Sequence, residues 1–300
     1  MDRVSWNWIL NGLDEALEFC RLLRLGERFE GGRFGKYRVW VAELVSALKT
    51  GGQEGAREAF NEHPARSSTA LTESFELADI LPFARSLAPE IIKRRLVRIL
   101  LGPARPADET ANTNEARNIL FELTMASKLW RAGLVPELVE PDIRCEVDGR
   151  TVYVACKRPF AGTGSRQAYT DALAQIRTGL TGPPASARGV VALSVTRLLN
   201  SGGRIFEFTA QAAREDRLGK LLEQLTEEVS AGWNEPGPGT IGLLWHVVTP
   251  ALDTRRALAR LSVMDQLNVQ RKSPVGSADA VLFTKLVDGI KRVADAENRS

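Results

Sequence analysis

Histidine is almost missing from this 300-residue chain: His63 and His246 are the only two, which excludes a histidine-rich metal cage. Cysteine is scarce as well. Cys20, Cys145 and Cys156 are too few and too scattered for a disulfide framework or a zinc site, and they read as the reduced thiols of a cytoplasmic protein. No apolar run is long enough to span a bilayer. The start of the chain, where Asp2 and Arg3 precede Trp6, Asn7, Trp8 and Asn11, lacks the uniform apolar core of a signal peptide. Repeats and low-complexity tracts are missing too. What is present is ordinary for a globular protein: 44% hydrophobic and 26% charged residues, in a length that suits one large or two ordinary domains.

The net charge of +3 says little, whereas its distribution is uneven. Residues 107–148 carry nine acids against four bases, and residues 157–204 carry seven bases against the single acid Asp171. A carboxylate-rich segment running into a basic one suits phosphodiester chemistry, with acids to hold a cation and bases to receive a phosphate backbone. Two solvated surfaces would give the same counts.

Residues 1–105 read as a helical N-terminal domain. Ile9, Leu13, Leu17, Cys20 and Leu23 recur at helical spacing until Gly26. Tyr37–Leu48 forms a second amphipathic segment stopped by Gly51–Gly52, Leu71–Leu81 a third, and Pro89 opens a fourth over Glu90–Leu101. Between the first two lies Arg28–Arg38, where basic and aromatic residues alternate with glycines. Such a loop can stack bases, although plugging the helical core is the commoner use of its aromatics. Gly102–Pro106 breaks the pattern and marks a boundary, with residues 106–300 as the second domain.

Beyond that boundary Asn112 and Glu115 make a capping box for a helix reaching about Arg131 and ending at Gly133. Leu134–Glu140 is a short strand candidate. Asp142–Val147 alternates, with Ile143, Cys145 and Val147 on one face, and Asp148–Gly149 is a two-residue hairpin signal. The return strand Thr151–Lys157 puts Val152, Val154 and Cys156 inward and Tyr153, Ala155 and Lys157 on the opposite face. Ser165–Leu180 follows as a helix and Gly189–Val195 as a buried strand. The remainder is read as a helix over Ala210–Val229, a loop over Trp233–Gly239, a strand over Ile241–Val248 and a last helix over Ala278–Glu297. His246 reads as a core or edge histidine, because nothing else in the chain offers it a nucleophile partner.

Pro141–Asp142 opening one strand and Lys157 closing the next, on one face of a hairpin and inside the order helix, three strands, helix, strand, resembles the PD-(D/E)xK nuclease superfamily. In that family the aspartate and an acid two residues before the lysine hold a divalent ion, the main-chain carbonyl between acid and lysine adds a ligand, and the lysine orients water or neutralises charge. Here Asp142 matches the aspartate, Cys156 would supply the carbonyl, Lys157 matches the lysine, and Ala155 stands where the acid belongs. Glu122, beside the apolar stripe Ile119, Leu123, Ala126 and Trp130, matches the metal-site glutamate that many members carry on the preceding helix. Gln175 resembles a glutamine that some branches place near the substrate. The resemblance therefore implies a restriction-endonuclease-like mixed sheet flanked by helices. Asp142, Lys157 and Glu122 should converge there, the Ala155 methyl facing them and the Cys156 side chain behind.

The implied activity is that of a Mg²⁺- or Mn²⁺-dependent endonuclease hydrolysing DNA, impaired by the missing acid at position 155. The intact neighbours of Ala155 favour a single glutamate-to-alanine replacement over gradual decay. Arg158, Arg166, Gln175 and Arg177 are the expected contacts to nucleic acid. The N-terminal helices are left to dock DNA, a second copy or a partner protein. A role in restriction or anti-phage defence follows only by association with the fold. The competing expectations are a catalytically dead nuclease fold that binds nucleic acid or scaffolds a complex, and a purely structural interaction protein.

Overall fold

The Asp148–Gly149 pair turns with both residues at positive φ (51° and 69°), the backbone of a tight hairpin whose twist suits antiparallel strands. It joins β3 (Ile143–Val147) to β4 (Arg150–Lys157), which pair antiparallel from Ile143↔Val154 to Val147↔Arg150. This hairpin sits inside a computed structural model that describes residues 2–105, 108, 114–139, 142–159, 164–181, 186–208, 220, 223, 224, 227, 239–253 and 260–297. The expected cap Asn112, Pro141, most of the expected 210–229 helix and nearly all of the 233–239 loop lie outside the described residues.

The architecture is a mixed sheet flanked by helices. Ahead of the hairpin come β1 (Asp2–Val4), the helices α1 (Trp6–Leu22), α2 (Gly26–Gly31), α3 (Arg33–Glu62), α4 (Pro64–Asp79), α5 (Leu81–Ser86), α6 (Pro89–Leu100) and α7 (Glu115–Arg131), and the two-residue strand β2 (Glu137–Leu138). After it come α8 (Gly164–Gly179), β5 (Arg188–Ser194), α9 (Thr196–Leu199), β6 (Phe206–Phe208), β7 (Thr240–Asp253), β8 (Arg260–Arg271) and α10 (Ala278–Glu297). The strand order is β1-β8-β7-β5-β4-β3-β2, with β6 beside the far end of β7. β4, β5 and β7 run parallel to one another and β6 runs parallel to β7, while β2 with β3, β3 with β4, β7 with β8 and β8 with β1 pair antiparallel. The N-terminal strand is thus an edge of the same sheet that carries the hairpin.

The sheet's two faces follow strand parity. Val152, Val154 and Cys156 of β4 join Val190 and Ala192 of β5 in the larger core, with α7, α10 and the N-terminal helices. Ala155 joins Val191, Leu193 and Trp245 in a second cluster under Tyr169, Ala172 and Leu173 of α8. On the larger face Gly242 makes room for Phe283 of α10, since a Cβ there would stand 2.2 Å from the ring.

Two expectations for the N-terminal half change. Gly51–Gly52 does not end the second helix; Gly52 adopts φ 62°, and helix resumes to Glu62 across a kink. Arg28–Arg38 is not a loop. It is helical apart from Gly32, and Phe29, Phe34 and Tyr37 are each fully buried, so these rings plug the core.

β8 has no counterpart in the sequence reading. Leu261, Val263, Leu267 and Val269 share the core face, but Asp265 stands at its centre and interrupts the apolar alternation. Asp265 is 3% exposed; Lys128 of α7 donates to one of its oxygens and His246 Nε2 lies 2.8 Å from the other. Burial alone would raise the Asp265 pKa, but the Lys128 ammonium and His246 outweigh it and hold the carboxyl well below the usual range. Burial opposes the charge on Lys128 as well, yet Asp265 and Asp79 keep its pKa above the ordinary value. Because the Asp265 pKa is depressed, its contribution to stability is present above the unfolded carboxylate value and is lost as pH falls through the folded one.

Lys128→Met should therefore lower unfolding free energy by about 3–5 kcal/mol, the cost of leaving a buried carboxylate without its main partner. Urea denaturation at neutral pH measures this, and a loss below about 1 kcal/mol would show that Asp265 is compensated elsewhere.

Candidate active site

Where β3 begins, the backbone departs from the strand. Asp142 adopts φ 51° and its carbonyl accepts from Val139 N at 3.1 Å, so parity along β3 does not govern its side chain. The carboxylate instead crosses to β4, where Oδ2 accepts the Cys156 N–H at 2.6 Å. The β3–β4 pairing stops at Ile143↔Val154, and the Asp142 carboxylate takes over beyond it. Asp142 is 7% exposed, the Cys156 side chain is buried, and burial pushes the Cys156 thiol far above its ordinary pKa.

Glu122 comes to the same place from α7. It is 9% exposed and ion-paired to Arg95 of α6. Burial first, and then the charge of Asp142, push the Glu122 pKa up to about 7 against the opposing pull of Arg95 and Lys157. Asp142 and Glu122 also raise the Cys156 thiol, while Lys157 lowers it. Asp142, Glu122, Lys157 and the Cys156 backbone therefore share one neighbourhood, at the end of β4 where Lys157 is half-buried. The chain leaving β4 is tied back to α7: Arg158 N donates to Asn118 Oδ1 at 3.2 Å, and Asn114 Nδ2 donates to Arg158 O at 3.4 Å.

Other expected residues lie elsewhere. The Ala155 methyl does not face this neighbourhood; it is fully buried in the apolar cluster under α8, on the opposite face from Cys156. Strand parity alone does not gather these residues, because Asp142 leaves the strand and Glu122 approaches from the layer opposite Ala155. Arg158 is not solvated: it is 6% exposed, bonded to Glu76 of α4 and 5.7 Å from the centre of the Phe121 ring. Arg166 and Arg177 are exposed on α8, and Gln175 is half-buried there. Glu115, expected to cap α7, pairs with Arg98 instead.

A buried charge network behind the site escaped the sequence reading. Glu73 of α4 lies 2.5 Å from Arg117 Nε and 3.0 Å from Arg33 Nη1, and Tyr37 Oη donates to Ala104 O at 2.8 Å beside them. Burial would raise the Glu73 pKa, but Arg117, Arg33 and Arg158 together keep it below the ordinary value. Residues Ser67–Ala78 of α4 are all buried, polar ones included. The available signal was the run of Ser, Thr and Glu on a helix that has no solvated face.

Among the described residues no three histidine, cysteine or acidic side chains gather as a metal site. Two carboxylates, one raising the other's pKa, nevertheless suit a hard cation such as Mg²⁺, which needs only one or two and fills its other positions with water and substrate oxygens. Comparison of the chain with known protein families, with curated proteins and with solved structures finds no match.

Because the folded state holds a proton on Glu122 up to about pH 7 while the unfolded chain releases it near the ordinary carboxylate pKa, stability from this group falls as pH rises between those values. Glu122→Gln should thus melt at a higher temperature than the parent at pH 8 and gain little at pH 5. Thermal melts across this range test it; a difference independent of pH would mean that Glu122 is charged throughout.

Proposed function

We propose that the chain is a PD-(D/E)xK-type nuclease that hydrolyses DNA phosphodiesters with Mg²⁺ or Mn²⁺. The observation that carries this reading is the meeting of Asp142, Glu122 and Lys157 at the end of the β3–β4 hairpin. The order α7-β2-β3-β4-α8-β5 supports it, since β2, β3 and β4 are successively antiparallel and β5 is parallel to β4, a restriction-endonuclease-like arrangement. A function in restriction or anti-phage defence goes with that fold by analogy.

Asp142 and Glu122 would hold the cation, which when bound supplies an activated water and stabilises charge on the phosphate. Lys157, at the open end of β4, neutralises the phosphate and orients the water. Arg95 positions Glu122. The bond from Cys156 N–H fixes the Asp142 carboxylate, so that little reorganisation is needed when substrate arrives.

The apolar packing of Ala155 and the hold of Arg95 on Glu122 favour a second reading, a silent nuclease fold that binds nucleic acid. Nicking of supercoiled plasmid separates the two. The first expects slow cleavage that needs Mg²⁺ or Mn²⁺, stops with EDTA or Ca²⁺, and falls roughly a hundredfold or more in Asp142→Asn and in Lys157→Ala. Salt-dependent gel shifts should change little in those variants. Binding without cleavage of any DNA or RNA tried would establish the second.

Ala155→Glu is a separate test of the packing. A carboxylate forced under α8 should destabilise the fold by roughly 2 kcal/mol or more. A variant that melts like the parent and cuts faster would show that side chain 155 turns to the cleft and that a ligand had been lost there.

A further inference from the structure

Glu122 already has a cation of its own. Arg95 of α6 donates from Nη1 to Glu122 Oε2, and Arg95 has no second partner among the described residues. The charges of Asp142 and Lys157 act on the same Glu122 carboxylate. Lys157, half-buried at the end of β4, has no ion-pair partner among the described residues. α7 makes a second contact of this kind, between Arg117 and Glu73, and the contrast is informative. The Arg117 side chain is fully enclosed, whereas that of Arg95 is 20% exposed. Arg117 is locked in place; Arg95 has a way out toward solvent.

The Arg95–Glu122 pair has a chemical consequence. A hard divalent ion binds carboxylate oxygens directly, so one held by Asp142 and Glu122 would meet the Arg95 guanidinium at an oxygen it needs. Like charges that close repel strongly at a half-buried site, where little water screens them. The guanidinium has to pass to another anion first. A phosphodiester suits it, because arginine grips phosphate with the same fork of N–H donors that it offers a carboxylate. The Lys157 ammonium in the same neighbourhood adds a second positive charge for that phosphate. We propose that Arg95 is an exchange latch: it holds Glu122 while the site is free, and it moves to a backbone phosphate when nucleic acid arrives, releasing Glu122 to the metal ion. Metal and nucleic acid then load together, each raising the affinity for the other by the same factor. The latch rests on the nuclease reading of Asp142 and Glu122, and it brings a residue of the N-terminal helices into contact with substrate.

Calorimetric titration of Mn²⁺ into the full chain, without nucleic acid, tests this. Binding should be weak in the parent and about tenfold tighter or more in Arg95→Gln, which frees Glu122. A residue that only positions Glu122 would give the opposite sign, weaker binding in the variant. Arg95→Lys keeps the charge and should bind Mn²⁺ weakly, as the parent does. The parent must also show the coupling directly: by fluorescence anisotropy, a labelled DNA duplex should bind about tenfold tighter in Ca²⁺ than in EDTA, and most of that gain should vanish in Arg95→Gln. The latch is overturned if the parent binds Mn²⁺ as tightly as Arg95→Gln does, or if the Ca²⁺ gain is equal in the two proteins. Where Asp142→Asn nevertheless abolishes the Mn²⁺ binding, the nuclease reading stands without the latch. If neither protein binds Mn²⁺ and Ca²⁺ leaves duplex affinity unchanged, both fall together.

Discussion

The burial of α7 constrains everything around it. From Ala116 to Leu129 all but Asn118 are buried, because the helix lies between the sheet and the N-terminal helices. A helix in that position is normally apolar all round. This one carries Arg117, Glu122, Lys128 and Arg131, and each is met by an opposite charge from another element: Glu73 of α4, Arg95 of α6, Asp265 of β8, and Asp79 at the end of α4. A buried charge without its partner costs several times what a pair contributes, so these contacts fix α7 in rotation and in register more firmly than apolar packing could. Glu122 reaches the candidate site because the other three pairs leave the helix no alternative orientation.

What could be read in advance follows the range of the forces involved. The Asp148–Gly149 turn, the alternation of β3 and β4, Pro89 at the start of α6 and the Gly133 stop of α7 depend on neighbours within a few residues, and each corresponds to an element of the fold. β1 and β8 do not. β1 is three residues long and exists only by pairing with a strand some 260 positions away, while in β8 a buried aspartate sits where alternation demands an apolar side chain. Buried ion pairs are long-range by nature, and a sequence pattern that assigns charge to the surface misplaces every residue that makes one.

The candidate site was legible in part for the same reason. The residue types and their order along the hairpin were visible, and so was the helix bearing Glu122. The left-handed backbone at Asp142 was not, although aspartate is among the residues that tolerate it, nor was its bond to the Cys156 N–H. Parity then pointed Ala155 toward the acids when the sheet's two faces in fact divide them. Lys157 stands at the last position of β4, half-buried.

β7 is longer than the strand beside it. Its parallel pairing with β5 ends at His246, and the pairing with β6 begins only at Ala251, which leaves a stretch of strand edge between them. Side chains from the α9 segment cover it: Thr196 Oγ1 accepts the Val248 N–H at 2.9 Å, and Asn200 Nδ2 donates to Thr249 Oγ1 at 3.0 Å. An open edge of this kind is a template for a foreign strand, and here it is closed without a strand. The residues that close it, Thr196 and Asn200, also line the cavity of about 850 Å³ between α4 and the α9 segment. Loosening this short cover would therefore expose the chain to edge-to-edge self-association at the moment it opened the cavity, which ties resistance to aggregation to the integrity of that wall.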